Sequence, residues 1–105
     1  MAQTDPISVL LVEDDPAARA NIAEILVRAG MVVDLAEDGA EGLKRAASGR
    51  YHVIILDRTL PHLSGIDVVT RMRVAGIEAP VLMLSALGRS EHRVEGLESG
   101  VDDYM

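Results

Sequence analysis

The chain has 105 residues, with 17 acids against 10 bases for a formal net charge of −7, and it is 49% hydrophobic. That is one small domain, able to bury roughly 60–70% of its unfolded surface, and too apolar to be disordered. Its lack of cysteine excludes disulfide scaffolds, thiolate zinc sites and iron–sulfur clusters, and its acidity and two tyrosines without Phe or Trp argue against nucleic-acid binding.

No apolar run approaches membrane-spanning length and Met1 to Pro6 carries no signal pattern, so the expected location is cytoplasmic. Four short apolar runs then punctuate the sequence. They are Val9-Leu10-Leu11-Val12, Val32-Val33, Val53-Ile54-Ile55-Leu56 and Val81-Leu82-Met83-Leu84. Continuous apolar character predicts strands buried on both faces of a parallel sheet. The second run continues into Asp34 and Leu35, a mixed pattern that suits an edge strand.

Helices are expected between the runs. Asp15 before Pro16 is an N-cap followed by proline at the first helical position. Ile22, Ile25, Leu26 and Ala29 then share one face, with Gly30 as the stop. Asp38-Gly39 opens a second helix with Ala40, Leu43 and Ala47 inward, ending near Gly49. Ser64-Gly65 opens a third with Ile66, Val69 and Met72 inward and Gly76 as its stop. Ser90 opens a fourth, with Val94 and Leu97 inward and Gly100 as its stop, weakened by Gly96. The chain then reads Val101-Asp102-Asp103-Tyr104-Met105, the entry to a fifth strand. This βα rhythm is that of a doubly wound α/β fold with right-handed crossovers.

Ligands of such sheets bind at the carboxyl ends of the strands. Those ends carry Glu13, Asp14 and Asp15 after the first strand, Asp57 after the third and Ser85 after the fourth. If the first and third strands are neighbours, three carboxylates converge, and like charges so close resist joint ionisation unless a cation sits among them. Oxygen ligands without His or Cys point to Mg²⁺, and a carboxylate beside it suits phosphoryl transfer. Plainer roles compete: Asp15 reads as a helix cap, Asp57 also fits a strand-end turn, and Ser85 also fits a loop start. His52, His62 and His92 have no ligand spacing and read as surface residues, the methionines as core filler, and Asp102 and Asp103 as turn acids.

Together Val9-Leu10-Leu11-Val12-Glu13-Asp14-Asp15-Pro16, Ile54-Ile55-Leu56-Asp57, Leu60-Pro61 with Gly65, Pro80 to Ala86 and Gly100-Val101-Asp102-Asp103-Tyr104 resemble the receiver domain of bacterial two-component response regulators. The resemblance covers essentially the whole chain. It implies a flavodoxin-like (βα)₅ sheet in strand order 2-1-3-4-5, cut short here at the fifth strand. It also implies that Asp57 is the phosphoacceptor for a sensor histidine kinase. Asp14 and Glu13 would be the acidic pair holding Mg²⁺ (or Mn²⁺), with Asp57 and the backbone carbonyl of Thr59 completing the protein ligands. Ser85 matches the hydroxyl that senses the phosphoryl group, and Tyr104 the aromatic that changes rotamer with it.

The stretch from Arg93 to Tyr104 is similar to the OmpR/PhoB-like winged-helix subfamily, which dimerises through the fourth helix, fifth strand and fifth helix. Glu91, Arg93, Asp102 and Asp103 match charged positions of that face, and match a solvated helix and turn equally well. The family also has a lysine shortly after the position of Tyr104, whereas this chain's one lysine is Lys44. A fragment of a longer regulator is therefore expected, whose uncovered first helix favours self-association or strand exchange, and whose DNA contacts belong to another domain. An interaction-only pseudo-receiver is the alternative that the missing lysine raises. A haloacid-dehalogenase phosphatase would need an acid where Thr59 stands, and an FMN carrier would need a less acidic first loop.

Overall fold

Each apolar run becomes a strand, and each capping residue within the described structure begins the helix expected of it. The computed structural model describes residues 6–84 and the backbone of Asp103 and Tyr104. Its elements in chain order are β1 (Ser8–Val12), α1 (Pro16–Arg28), β2 (Val32–Ala36), α2 (Gly39–Ser48), β3 (Val53–Asp57), α3 (Gly65–Val74), β4 (Val81–Leu84) and β5 (Asp103–Tyr104). The strands lie in the order β2-β1-β3-β4-β5, all parallel. β5 pairs Asp103 with Leu82 and Tyr104 with Met83, so Asp103 belongs to a strand and not to the expected turn. The helix expected from Ser90 to Gly100 lies outside the described residues.

Alternation along the central strands divides the apolar side chains between two cores. Leu10, Val12, Ile54, Leu56, Val81 and Met83 pack with Ala46 of α2 and with Val68, Val69 and Met72 of α3. Val9, Leu11 and Ile55 face the other way, against Ile22, Ala23 and Leu26 of α1. β1 and β3 are thus buried on both faces, as their unbroken apolar runs require. β2 is an edge strand, with Val32 and Leu35 exposed.

The helix caps follow the sequence closely. The Asp15 carboxylate accepts from the Ala18 N–H at 2.8 Å, Asp38 from the Glu41 N–H at 2.8 Å, and Ser64 Oγ from the Asp67 N–H at 3.2 Å. Each satisfies a donor that has no partner within the helix.

The inward faces differ from expectation. In α2 the buried residues are Gly39, Gly42 and Ala46, while Ala40 and Ala47 are exposed. A Cβ on Gly42 would stand 2.8 Å from Val12 Cγ2. The small residues let the helix lie close against β1, and Leu43, expected inward, packs half-buried against the same core. In α3, Val68 joins Val69 and Met72 in the core, and Ile66 is only half-buried. In α1, Ile22 and Leu26 pack on the sheet, but Ile25 is 66% exposed.

Candidate functional site: an acidic cluster at the strand ends

Register places the acids. Val12 of β1 pairs with both Ala36 of β2 and Leu56 of β3, so the next residues on the central strands, Glu13 and Asp57, emerge side by side at the carboxyl edge. Carboxylate oxygens of Glu13, Asp14 and Asp57 all lie within 4.8 Å of one another. Glu13 is buried at 7% exposure, Asp57 is half-buried and Asp14 is exposed. The cluster therefore has a fixed floor and an open rim.

Main-chain contacts hold this floor. The Glu13 N–H donates to the Ala36 carbonyl at 3.1 Å, extending the β1–β2 ladder by one residue. Arg19 of α1 donates from Nη1 to the Glu13 carbonyl at 2.9 Å. The Asp15 N–H donates to Glu13 Oε2 at 3.3 Å, so Asp15 is both the expected cap and a donor to the cluster. The Thr59 N–H donates to Asp57 Oδ1 at 3.2 Å. Beneath Asp57, the Gly65 N–H donates to the Arg58 carbonyl at 2.9 Å. A Cβ on Gly65 would lie 2.5 Å from the Asp57 carbonyl oxygen, so the start of α3 sits directly against the backbone of the strand-end acid.

The electrostatics follow from the crowding. Glu13 has its pKa pushed up to about 7. Burial is the largest cause, the Asp15 N–H pulls the other way, and hydrogen bonding and charge from Asp57, with hydrogen bonding to Asp14, raise it further. Without a cation, Glu13 therefore keeps its proton well above the ordinary carboxylate range, releasing it at about pH 7. Three hard oxygen donors with no nitrogen or sulfur among them fit a divalent cation of the Mg²⁺ type, whose charge relieves this repulsion.

Of the residues singled out from sequence, Glu13, Asp14, Asp57 and Thr59 converge here. Ser85 and the side chain of Tyr104 lie outside the described structure. His52 stands apart from the cluster and accepts the Ser8 N–H on Nδ1 at 2.8 Å, and His62 is an exposed loop residue. Arg19 and its ion-pair partner Glu37, 3.6 Å away, were not foreseen. The available signal was a basic residue on the first turns of the helix that leaves an acidic run.

Comparison with known families matches residues 9–105 to the response regulator receiver domain. The transcriptional regulatory protein CusR of Escherichia coli K12 is 46% identical over 99 residues, which is 94% of this chain and 44% of that protein. The chain thus spans less than half the length of such curated relatives. Among solved structures, the receiver domain of the sensor histidine kinase PA1611 from Pseudomonas aeruginosa PAO1, with a magnesium ion coordinated in its active-site cleft, matches at 31% identity and a TM-score of 0.87, covering 96% of this chain and 84% of that one. The receiver domain of Ssk1 from Saccharomyces cerevisiae, co-crystallised with the histidine phosphotransfer protein Ypd1, is among the matches at 28% identity and a TM-score of 0.89, covering 95% of this chain and 77% of the matched chain. With the sheet order, the strand-end acids and the sequence likeness in agreement, the chain belongs to the response regulator receiver domain family.

Proposed function

We propose that this chain is the phosphoacceptor module of a two-component transcriptional regulator, taking a phosphoryl group from a sensor histidine kinase onto Asp57. The observation that carries this reading is the meeting of Glu13, Asp14 and Asp57 within 4.8 Å at the strand mouths. A carboxylate oxygen of Asp57 attacks the phosphorus, the P–N bond to the kinase imidazole breaks, and its electron pair returns to the ring nitrogen. Thr59 holds the acceptor by donating its N–H to Asp57 Oδ1, which orients the other oxygen for attack. Glu13, Asp14, Asp57 and the Thr59 carbonyl would hold Mg²⁺ or Mn²⁺, which when bound neutralises charge on the phosphoryl oxygens.

Ser85 and Tyr104 are assigned the switch: a hydroxyl drawn to the new phosphoryl group and an aromatic that follows it. The resulting shift would be read by a DNA-binding domain of the longer protein, in the cytoplasm, this chain itself making no nucleic-acid contact. Such a module is a switch with at most slow self-phosphorylation and dephosphorylation. Thr59 supports this over a phosphatase, because a threonine supplies no general base for water two residues after the acceptor. Self-association, through the fourth-helix and fifth-strand face or by strand exchange, belongs to the same proposal.

The test is incubation with acetyl phosphate and Mg²⁺, read by intact-protein mass, for the wild type and Asp57→Ala. A phosphoryl adduct present in the first and absent from the second is the expected result. No adduct on the wild type refutes the phosphoacceptor reading and favours an interaction-only module.

A further inference from the structure

Arg19 lies on α1 four residues past the cap Asp15, whose carbonyl accepts the Arg19 N–H at 2.9 Å. Its side chain is only 15% exposed although it carries a full charge. The guanidinium fork is divided: Nη1 donates to the Glu13 carbonyl at 2.9 Å, and Nη2 stands 3.6 Å from Glu37, which is 76% exposed. The second contact is a weak, solvated ion pair, so the first carries the weight.

Glu13 is the residue at which the chain leaves the sheet. Its N–H is held by Ala36 at the end of β2 and its carbonyl by Arg19 of α1. Both polar groups of this residue's backbone are thus fixed, by two different elements. The next two residues are Asp14, whose carboxylate is in the acidic cluster, and Asp15, whose N–H steadies the Glu13 carboxylate.

We infer that Arg19 is a positioning residue for the acidic site: its planar fork locks the Glu13 main chain and so holds Glu13 and Asp14 where a divalent cation can bind them. This rests on the metal-dependent reading given above. A cation so close to a metal site opposes Mg²⁺ by charge alone, and a helix N-terminus is an unfavourable place for it. The two roles therefore have opposite signs: removing a charge tightens Mg²⁺ binding, whereas removing a clamp weakens it.

The experiment measures Mg²⁺ binding by calorimetry, and amide exchange of Glu13 and Asp15 in metal-free protein, for the wild type, Arg19→Ala and Arg19→Lys. Arg19→Ala is expected to weaken Mg²⁺ binding about tenfold, the scale of losing a group that orients a metal ligand. Exchange at the two amides is expected to quicken by a similar factor. Arg19→Lys keeps the charge but not the fork, and is expected to lie several-fold below the wild type; it decides the matter if the alanine variant fails to fold. Unchanged or tighter binding in Arg19→Ala, wild-type binding in Arg19→Lys, or unchanged exchange in both overturns the inference. If the wild type itself binds no Mg²⁺, the metal-dependent reading falls, and the exchange data still decide whether Arg19 holds the loop.

Discussion

Glu13 makes the metal-free domain sensitive to pH in a direction unusual for an acid. Its pKa rises from 4.5 to about 7 on folding, so the native state holds a proton that the unfolded chain has released. Stability from this group is complete below about pH 4.5, falls as pH rises toward 7, and is lost above that. A tenfold change in proton affinity is worth about 1.4 kcal/mol, so the loss is about 3 kcal/mol. For a domain of this size that lowers Tm by about 10–20 °C. Thermal unfolding in EDTA, from about pH 5 to about pH 8, for the wild type and Glu13→Gln isolates the effect, because every other titrating group is common to both. The wild type is expected to lose about 2.5 kcal/mol relative to the variant across that range, the rest of the loss lying below about pH 5. Mg²⁺ at a hundred times its Kd should restore about 2.7 kcal/mol at the alkaline end. Parallel pH profiles for the two proteins would refute the attribution to burial and repulsion, since burial is the first cause.

Two other substitutions test how the site is supported. Gly65→Ala places a Cβ 2.5 Å from the Asp57 carbonyl oxygen and 2.9 Å from Arg58 Cα; neither backbone atom can turn aside, so a loss of about 1–3 kcal/mol in denaturant unfolding is expected, and unchanged stability would mean that α3 shifts freely. Asp15→Ala removes the 2.8 Å cap bond to the Ala18 N–H and should cost about 1 kcal/mol in the same assay. It leaves the Asp15 N–H, a backbone group, available to Glu13, so Mg²⁺ binding by calorimetry should change much less than stability does.

The parts of this structure that were legible in the sequence are those written in side-chain chemistry. The strand runs, the caps Asp15, Asp38 and Ser64, and the grouping of Glu13, Asp14 and Asp57 depend on which residues occur and at what spacing. The fully buried residues of α2 are hidden from such a reading because they are Gly39, Gly42 and Ala46, with Gly42 directly against Val12 of β1; they serve by their lack of bulk and so leave no large apolar signal. Ile25 falls on the buried face by helical period alone, yet it is 66% exposed; periodicity gives the side of the helix but not how far the neighbouring surface extends. Arg19 escapes notice because its partner is a main-chain carbonyl, and carbonyls carry no residue type to search for.

These observations also explain why the site depends on the sheet as a whole. Glu13 and Asp57 stand level because Val12 pairs with Leu56, and Val12 also pairs with Ala36. A one-residue slip of β3 against β1 would move Asp57 out of step with Glu13. It would also turn Ile54 and Leu56 from the core shared with α2 and α3 toward the opposite face. Both side chains are fully buried, and the opposite face is already filled by Val9, Leu11 and Ile55 against α1, so each misplaced side chain would overpack one core and leave a gap in the other at a cost of about 1–3 kcal/mol. The three carboxylates repel one another and would not assemble by their own interactions. Their approach is imposed by apolar burial one residue below, and the raised pKa of Glu13 records first its own burial and then the hydrogen bonding and charge of Asp57. A divalent cation binding at the mouth would therefore relieve a repulsion that the fold has already created, with little rearrangement of the backbone beneath it.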